Sequence, residues 1–187
     1  MNGALIFLLF VCLINLCAGY ELENSNHFTI HSTFLTFGRD YSVITDEKND
    51  NSTNYNIRYK WAENAGKTLT IENNKQEVIY EMRHRLLHYR AHWDITNENG
   101  KLVGEFKHKF SALHHNFDII TPSGTYNVRS ESLLSHEFKM TKDGKLVATI
   151  SKEWFTFGGT YHLDVVKTED PAFVIVITIC IDETINH

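Results

Sequence analysis

Hydrophobic and polar residues alternate along most of this chain, in short segments separated by turn residues. The apolar residues of one such segment fall on one side of an extended backbone, namely Leu146, Ala148 and Ile150. The polar residues fall on the other side, namely Thr149, Ser151 and Glu153. A period of two is typical of a strand with one buried face. Segment 160–166 repeats the alternation after a few turn residues, so the pattern predicts a pair of strands joined by a turn.

The same pair of segments recurs along the chain. Gly100-Lys101-Leu102-Val103 aligns with Gly144-Lys145-Leu146-Val147, a shift of 44 positions, and Val78-Ile79 aligns with Leu102-Val103, a shift of 24. Such self-similarity indicates a repeated supersecondary unit, and links such as 97–100 and 142–144 have the residues of tight turns. Six units are predicted, at 27–45, 54–72, 77–97, 101–121, 124–141 and 145–166.

Six pairs of strands predict a mainly β protein with about twelve strands in consecutive up-and-down order. A sheet of that length leaves two open edges, which are costly unless the sheet closes on itself. We therefore expect a closed, or nearly closed, antiparallel barrel.

The segment after the last unit has a different pattern. Asp170-Pro171 is followed by AFVIVITICI, in which only Thr178 is polar. Asp followed by Pro is typical of a helix start, whereas the β-branched residues favour a strand. The lack of alternation predicts burial on every side, and a helix of this length could fill the wide interior of a twelve-stranded barrel.

The sequence SKEWFTFGGTYHLDV (151–165), followed by AFVIVITICID (172–182), resembles the LURP-one-related family of the tubby C-terminal-like superfamily, to which the phospholipid scramblases are related. The likeness is sharpest from Tyr80 to Asp182. It implies a twelve-stranded barrel wrapped around one buried hydrophobic C-terminal α-helix, and so a helix at 172–181. Tubby-type domains bind phosphoinositides through basic surface residues on the cytoplasmic side.

The first nineteen residues have the features of a secretory signal peptide. An apolar run from Ala4 to Leu16 is followed by the small residues Cys17, Ala18 and Gly19, as in an h-region and its cleavage site. We expect cleavage after Gly19, a secreted protein, and a single domain at 20–187. The sequon at Asn51 is then a candidate N-glycosylation site.

Charge and cysteine content narrow the possible partners. The net charge of −5 argues against nucleic acid as a partner. After cleavage only Cys180 remains, so the monomer has no internal disulfide and its core must supply the stability. We expect a monomer without a cofactor, without a metal and without a transmembrane span in the mature chain.

The most basic part of the chain, 83–92, is the main candidate binding surface. Equivalent positions one unit later are also basic, and the two rows could adjoin in the barrel. The candidate residues for an anion or lipid-headgroup surface are Arg83, Arg85, Arg90, Lys107 and Lys109. Such a cationic strip would suit lipid headgroups, sulfated glycans or phosphorylated partners; the alternative is a solvated outer wall.

We interpret the regularly spaced histidines and aromatic residues as structural rather than as binding sites. His84, His88 and His92 are spaced by four. Along a continuous strand neighbouring histidines would be about 13 Å apart, too far to share one metal ion, and only a folded-back hairpin could bring His84 near His92. The recurring aromatic residues are predicted to pack in the core and turns, and they are Tyr41, Trp93, Phe117, Trp154, Phe155 and Tyr161.

Three classes of function remain. The sequence has no G-x-S-x-G, no phosphate-binding glycine loop and no H-E-x-x-H motif, which disfavours an enzyme. A lipocalin-like carrier of a small hydrophobic ligand would need an empty interior. We favour a secreted, non-enzymatic binding or scaffold module that acts through its outer surface on anionic lipid or a protein partner.

Overall fold

The structure is a computed structural model that describes residues 22, 24–35, 38–45, 55–62, 66–86, 88–153 and 159–185, without the side chains of 33–35, 38–40 and 60–62. The expected signal peptide (1–19), the sequon at Asn51, and the aromatic residues Trp154 and Phe155 lie outside the described residues. No helix in the described ranges has both the length and the apolar character needed to cross a membrane.

Twelve strands and one helix make up the described fold. In chain order the strands are β1 Ser25–Leu35, β2 Gly38–Thr45, β3 Tyr55–Ala62, β4 Gly66–Glu72, β5 Val78–His84, β6 His92–Asn97, β7 Leu102–Lys109, β8 Asn116–Thr121, β9 Gly124–Ser130, β10 Glu137–Lys142, β11 Lys145–Lys152 and β12 Thr160–Val166. The helix, α1, spans Pro171–Ile185. Each predicted unit is one hairpin, so the six predicted pairs are confirmed.

The strands form a closed antiparallel barrel in which every strand pairs with its neighbours in sequence. The barrel closes where β1 pairs with β12, from Ser25 opposite Val166 to His31 opposite Thr160. Closure leaves no open sheet edge, as the strand count predicted. Connections 85–91, 110–115 and 131–136 lie at one end of the barrel, which we call the loop end. Connections 73–77, 98–101, 122–123 and 143–144 lie at the opposite end, which we call the turn end.

The sequence repeat encodes a repeated β-bulge near the turn end. The register skips one residue at Ile79, at Val103 and at Val147, which are equivalent positions of the repeat. The bulge also explains a difference from the predicted alternation. Leu146 was expected inside the barrel, but Val147 and Ala148 are the buried neighbours because the extra residue shifts the alternation. Bulges bend and twist a strand, which suits a sheet that has to close.

Helix α1 occupies the interior of the barrel, as predicted. It begins where expected, because the Asp170 side chain accepts a hydrogen bond from the Ala172 amide at 2.9 Å and Pro171 is its first residue. Twelve consecutive residues, Ala172–Glu183, are buried, and they join the inward side chains of the strands in one core. The fit is close, since a Cβ on Gly104 of β7 would lie 3.0 Å from the Phe173 ring.

Candidate functional site

The predicted cationic strip is interrupted in the structure. Strand β6 lies between β5 and β7, and its outward residue Asp94 stands between Arg83 and Glu105. Four of the five candidate cations are each held by a carboxylate. The pairs are Arg83–Glu81 at 3.1 Å, Arg85–Asp94 at 2.6 Å, Lys107–Glu105 at 2.7 Å and Lys109–Asp118 at 2.8 Å. The wall therefore carries mixed and largely compensated charge.

The fifth candidate, Arg90, lies in a different setting at the loop end. Its guanidinium group is 4.8 Å from the centre of the Phe110 ring and 5.9 Å from that of Tyr89. Cations stack favourably on aromatic faces at such distances. Arg90 therefore belongs to an aromatic cluster rather than to the wall of ion pairs.

Exposed apolar side chains are concentrated at the loop end. Of the nine large apolar side chains that the described residues expose, six lie in three neighbouring connections there: Leu86 (65% exposed), Tyr89 (99%), Phe110 (75%), Leu113 (77%), Leu133 (47%) and Leu134 (83%). We call these six residues the loop rim. The other three, Ile44, Leu102 and Ile120, lie towards the turn end and are 43–50% exposed. A soluble protein rarely exposes apolar side chains in such a cluster without a binding role.

The three connections that carry the loop rim contact one another. Arg90 of the first stacks on Phe110 of the second. The His115 ring of the second lies 3.2 Å from the Leu133 carbonyl of the third. The His115 amide also donates to the Ser130 hydroxyl at 2.9 Å. The rim is thus a continuous ridge held by specific contacts.

A small cavity lies beneath this ridge, next to the C-terminal turn of α1. Its volume is about 180 Å³, and it is lined by residues that include His115, His136, Phe138, Lys152, Tyr161 and Ile185. Its lining is mostly apolar, with the Lys152 ammonium group at one side. Lys152 lies 3.5 Å from Asp182 and 5.2 Å from the centre of the Tyr161 ring, so its charge is compensated within the protein.

A buried polar cluster closes the loop end around α1. Tyr41 donates hydrogen bonds to Asp182 at 2.8 Å and to Glu183 at 2.6 Å, and Tyr161 also donates to Asp182. Lys67 forms an ion pair with Glu183. Both carboxylates are almost inaccessible to water, and buried charges need such partners. The cluster fixes the helix to the strands.

A second polar cluster closes the turn end, beside a cleft of about 350 Å³. Tyr80 donates to Asp170 at 2.6 Å, and Tyr126 donates to Glu169 at 2.5 Å. Burial, together with the bond to Glu169, raises the pKa of Tyr126 to about 12. Lys142 lies 3.1 Å from Glu169. These side chains therefore bind each other and hold the start of α1 to the strands, as the first cluster holds its end.

The three regularly spaced histidines do not converge on one point. The His84 ring packs on Trp93, with 4.8 Å between ring centres, and the His88 ring packs on His92 at 4.6 Å. Within the described residues no group of three His, Cys, Asp or Glu side chains is arranged to hold a metal ion. These rings fill space around the loop end.

Four partly buried histidines predict that stability falls in acid. The pKa of each of these histidines is lowered, mainly by burial. The four are His84, His92, His108 and His136. Below about pH 6.5 the unfolded chain protonates its histidines before the folded protein does. The stabilisation is therefore complete above that pH and is lost as the pH falls. We expect urea unfolding to give a lower free energy at about pH 5 than at about pH 7.5.

The replacement His108→Gln tests whether these histidines cause the pH dependence. It removes one titrating group that packs on Phe117, with 4.9 Å between ring centres, so the drop in stability between the two pH values should shrink. A free energy of unfolding that stays constant or rises on acidification would contradict the assignment.

The expected core aromatics are in place, whereas the loop rim was not anticipated. Tyr41, Trp93, Phe117 and Tyr161 are all 3% exposed or less, as predicted. The rim escaped the sequence reasoning because an apolar residue in a connection has no periodicity that shows whether it points inward or outward. The one available signal was the placement of leucine, tyrosine and phenylalanine within the turns of consecutive units.

Comparison with known proteins gives one finding. The model of the family described as LURP-one-related matches residues 26–182. The match includes all twelve strands, except for Ser25 at the start of β1, and it includes most of α1. No curated protein matches the chain significantly.

Proposed function

The chain belongs to the LURP-one-related family, and we propose that it is a secreted, non-enzymatic module that binds an anionic lipid surface through its exterior. The observation that carries this proposal is that α1 occupies the barrel interior, with Ala172–Glu183 buried. Binding to any large partner then has to use the outer surface. A lipocalin-like carrier would need that interior for its ligand.

The described polar clusters support a binding role without catalysis. Catalytic groups are typically exposed in a cleft with a perturbed pKa and an accessible reacting atom. Here the carboxylates of both ends are engaged by tyrosine hydroxyls and by Lys67, Lys142 or Lys152. Cys180 is buried in α1, and burial raises the pKa of its thiol, which disfavours the reactive thiolate.

Secretion is supported by the amino-terminal sequence. Residues 1–19 combine a short apolar run with small residues before the expected cleavage point. The absence of a cysteine pair from the remaining chain fits a fold whose stability comes from its large core. Mass measurement of protein recovered from the culture medium of expressing cells tests this proposal.

Anionic lipid is favoured over a protein partner by the surface of the loop end. It combines exposed apolar side chains with the cation Arg90, while Arg85 of the same connection is paired with Asp94. The three connections contain one acidic residue, Glu131. Anionic membranes attract such positive groups, and their interfacial region accepts apolar side chains.

Vesicle flotation tests the proposed function. We expect the protein to float with phosphatidylcholine vesicles that contain about 30% phosphatidylserine, and to remain in solution with phosphatidylcholine alone. Retention should weaken as salt rises from about 50 to about 300 mM, because salt screens surface charges. Equal retention on both vesicles, or retention on neither, would contradict the proposal.

A further inference from the structure

We infer that the loop rim is the membrane-docking surface, and that its apolar side chains enter the bilayer interface while Arg90 meets the anionic headgroups. This inference rests on the proposed function and specifies the part of the exterior that performs it. The cationic strip that the sequence suggested does not take this role, because its residues on β5 to β8 are paired with carboxylates.

The first support is the one-sided distribution of exposed apolar area. The loop rim has six large apolar side chains at one end of the barrel, and four of them exceed 70% exposure. Those four are Tyr89, Phe110, Leu113 and Leu134. They lie in three adjacent connections at the same end of the barrel, so a surface that approaches this end can meet them together. Leucine and aromatic side chains are the ones that interfacial segments bury in the headgroup region.

The second support is the charge beside these exposed side chains. Arg90 lies near the rings of both Tyr89 and Phe110, which places a cation beside two rings that would enter the interface. Basic side chains near an inserted apolar group can reach the phosphates. Arg85, by contrast, is held by Asp94 through two contacts of 2.6 and 2.7 Å. Arg90 is therefore the cation best placed to contact a headgroup.

The third support is that contacts between the three connections hold the loop rim in place. The contacts from Arg90 to Phe110 and from His115 to the Leu133 carbonyl connect the three loops. A pre-formed surface loses little conformational entropy on binding. A protein partner would need a shape complementary to three separate connections, whereas a fluid bilayer adapts to them.

The test compares four variants with the wild-type protein by flotation on the vesicles with phosphatidylserine. The rim variant Leu113→Ser/Leu134→Ser should bind at least about tenfold more weakly, because two leucine side chains no longer leave water. The matched control Leu102→Ser/Ile120→Ser, at the turn end, should stay within about twofold of wild type. Arg90→Gln should lower the affinity about fivefold. The wall variant Arg83→Gln/Lys107→Gln should keep most of the affinity.

The outcomes separate this inference from the proposed function. If wild type binds but the rim variant binds equally well and the wall variant does not, the rim assignment is wrong while the proposed function stands. If wild type binds neither vesicle, both are wrong. Sedimentation velocity covers a further alternative: a wild-type dimer that the rim variant converts to monomers would identify the rim as an interface between copies and exclude the lipid assignment.

Tryptophan fluorescence provides a readout that a folding defect would not produce. Leu134→Trp should be quenched by lipids brominated on their acyl chains more strongly than the three native tryptophans of the wild-type protein. Ile120→Trp, at the opposite end, should show no added quenching. Equal quenching at both positions would overturn the proposed orientation.

Discussion

Replacement of Ile177 by aspartate is expected to leave the protein unfolded at neutral pH. Ile177 is fully buried near the middle of α1, inside the barrel. The carboxylate would lose its hydration among apolar side chains, at a cost of several kcal/mol. Loss of the isoleucine packing adds about 2–5 kcal/mol. Since a typical domain is stable by about 5–15 kcal/mol in total, the sum approaches or exceeds the available stability.

Circular dichroism and urea unfolding provide the measurement. The variant should lack the cooperative transition of the wild-type protein. The control is Ile120→Asp, which places the same charge on a side chain that is 46% exposed on the barrel wall, and it should change the free energy of unfolding by about 1 kcal/mol or less. A wild-type transition for Ile177→Asp would show that α1 does not fill the barrel.

The second large effect is expected at the polar cluster of the loop end. Asp182→Ala should lower the free energy of unfolding by about 3–5 kcal/mol, the usual loss when one partner of a buried ionic group is removed. Tyr161 and Lys152 would both lose the carboxylate that they contact. Chemical denaturation monitored by tryptophan fluorescence measures this change, because Trp93 lies beside α1 and contacts Thr184.

Two further variants control for this effect. Glu131→Ala removes an exposed carboxylate 3.6 Å from Lys139 and should change stability by about 0.5 kcal/mol or less. The double variant Asp182→Ala/Lys152→Met removes both charges and should recover part of the loss. A single variant Asp182→Ala as stable as Glu131→Ala would show that the cluster does not anchor the helix.

Most of the fold was predictable because its physical basis is local and repeated. Alternation of period two and turn residues occur within each hairpin, and six copies require closure. The helix was harder, since Val174, Ile175 and Val176 favour a strand by propensity. Here the tertiary environment prevails over propensity, because a helix satisfies its own backbone hydrogen bonds in an interior where no strand edge is available. The bulges at Val103 and Val147 were not predicted, because the GKLV sequence at these positions is also compatible with a regular strand without an extra residue.

The candidate surface was much less predictable from sequence. The basic rows 83–85 and 107–109 occupy equivalent positions of the repeat and were expected to adjoin in the barrel, but the strand register places Asp94 of β6 between Arg83 and Glu105. Compensation of charge depends on such cross-strand neighbours. The loop rim likewise depends on three connections that are separate in sequence and adjacent only in the closed barrel. The compensation of charge and the position of the loop rim therefore both depend on which strands and connections are neighbours in the barrel, which composition does not reveal.

The pairing of β1 with β12 has a consequence for biosynthesis. Ser25 of β1 pairs with Val166 of β12, and α1 follows β12 in the chain. Neither this strand pair nor the central helix can therefore form during the interval in which the ribosome makes β2 to β12. At about 5–20 residues per second this interval lasts roughly 10–30 s. Throughout it the nascent chain exposes an unpaired strand and an apolar inner face, and that is the period when it is most exposed to aggregation.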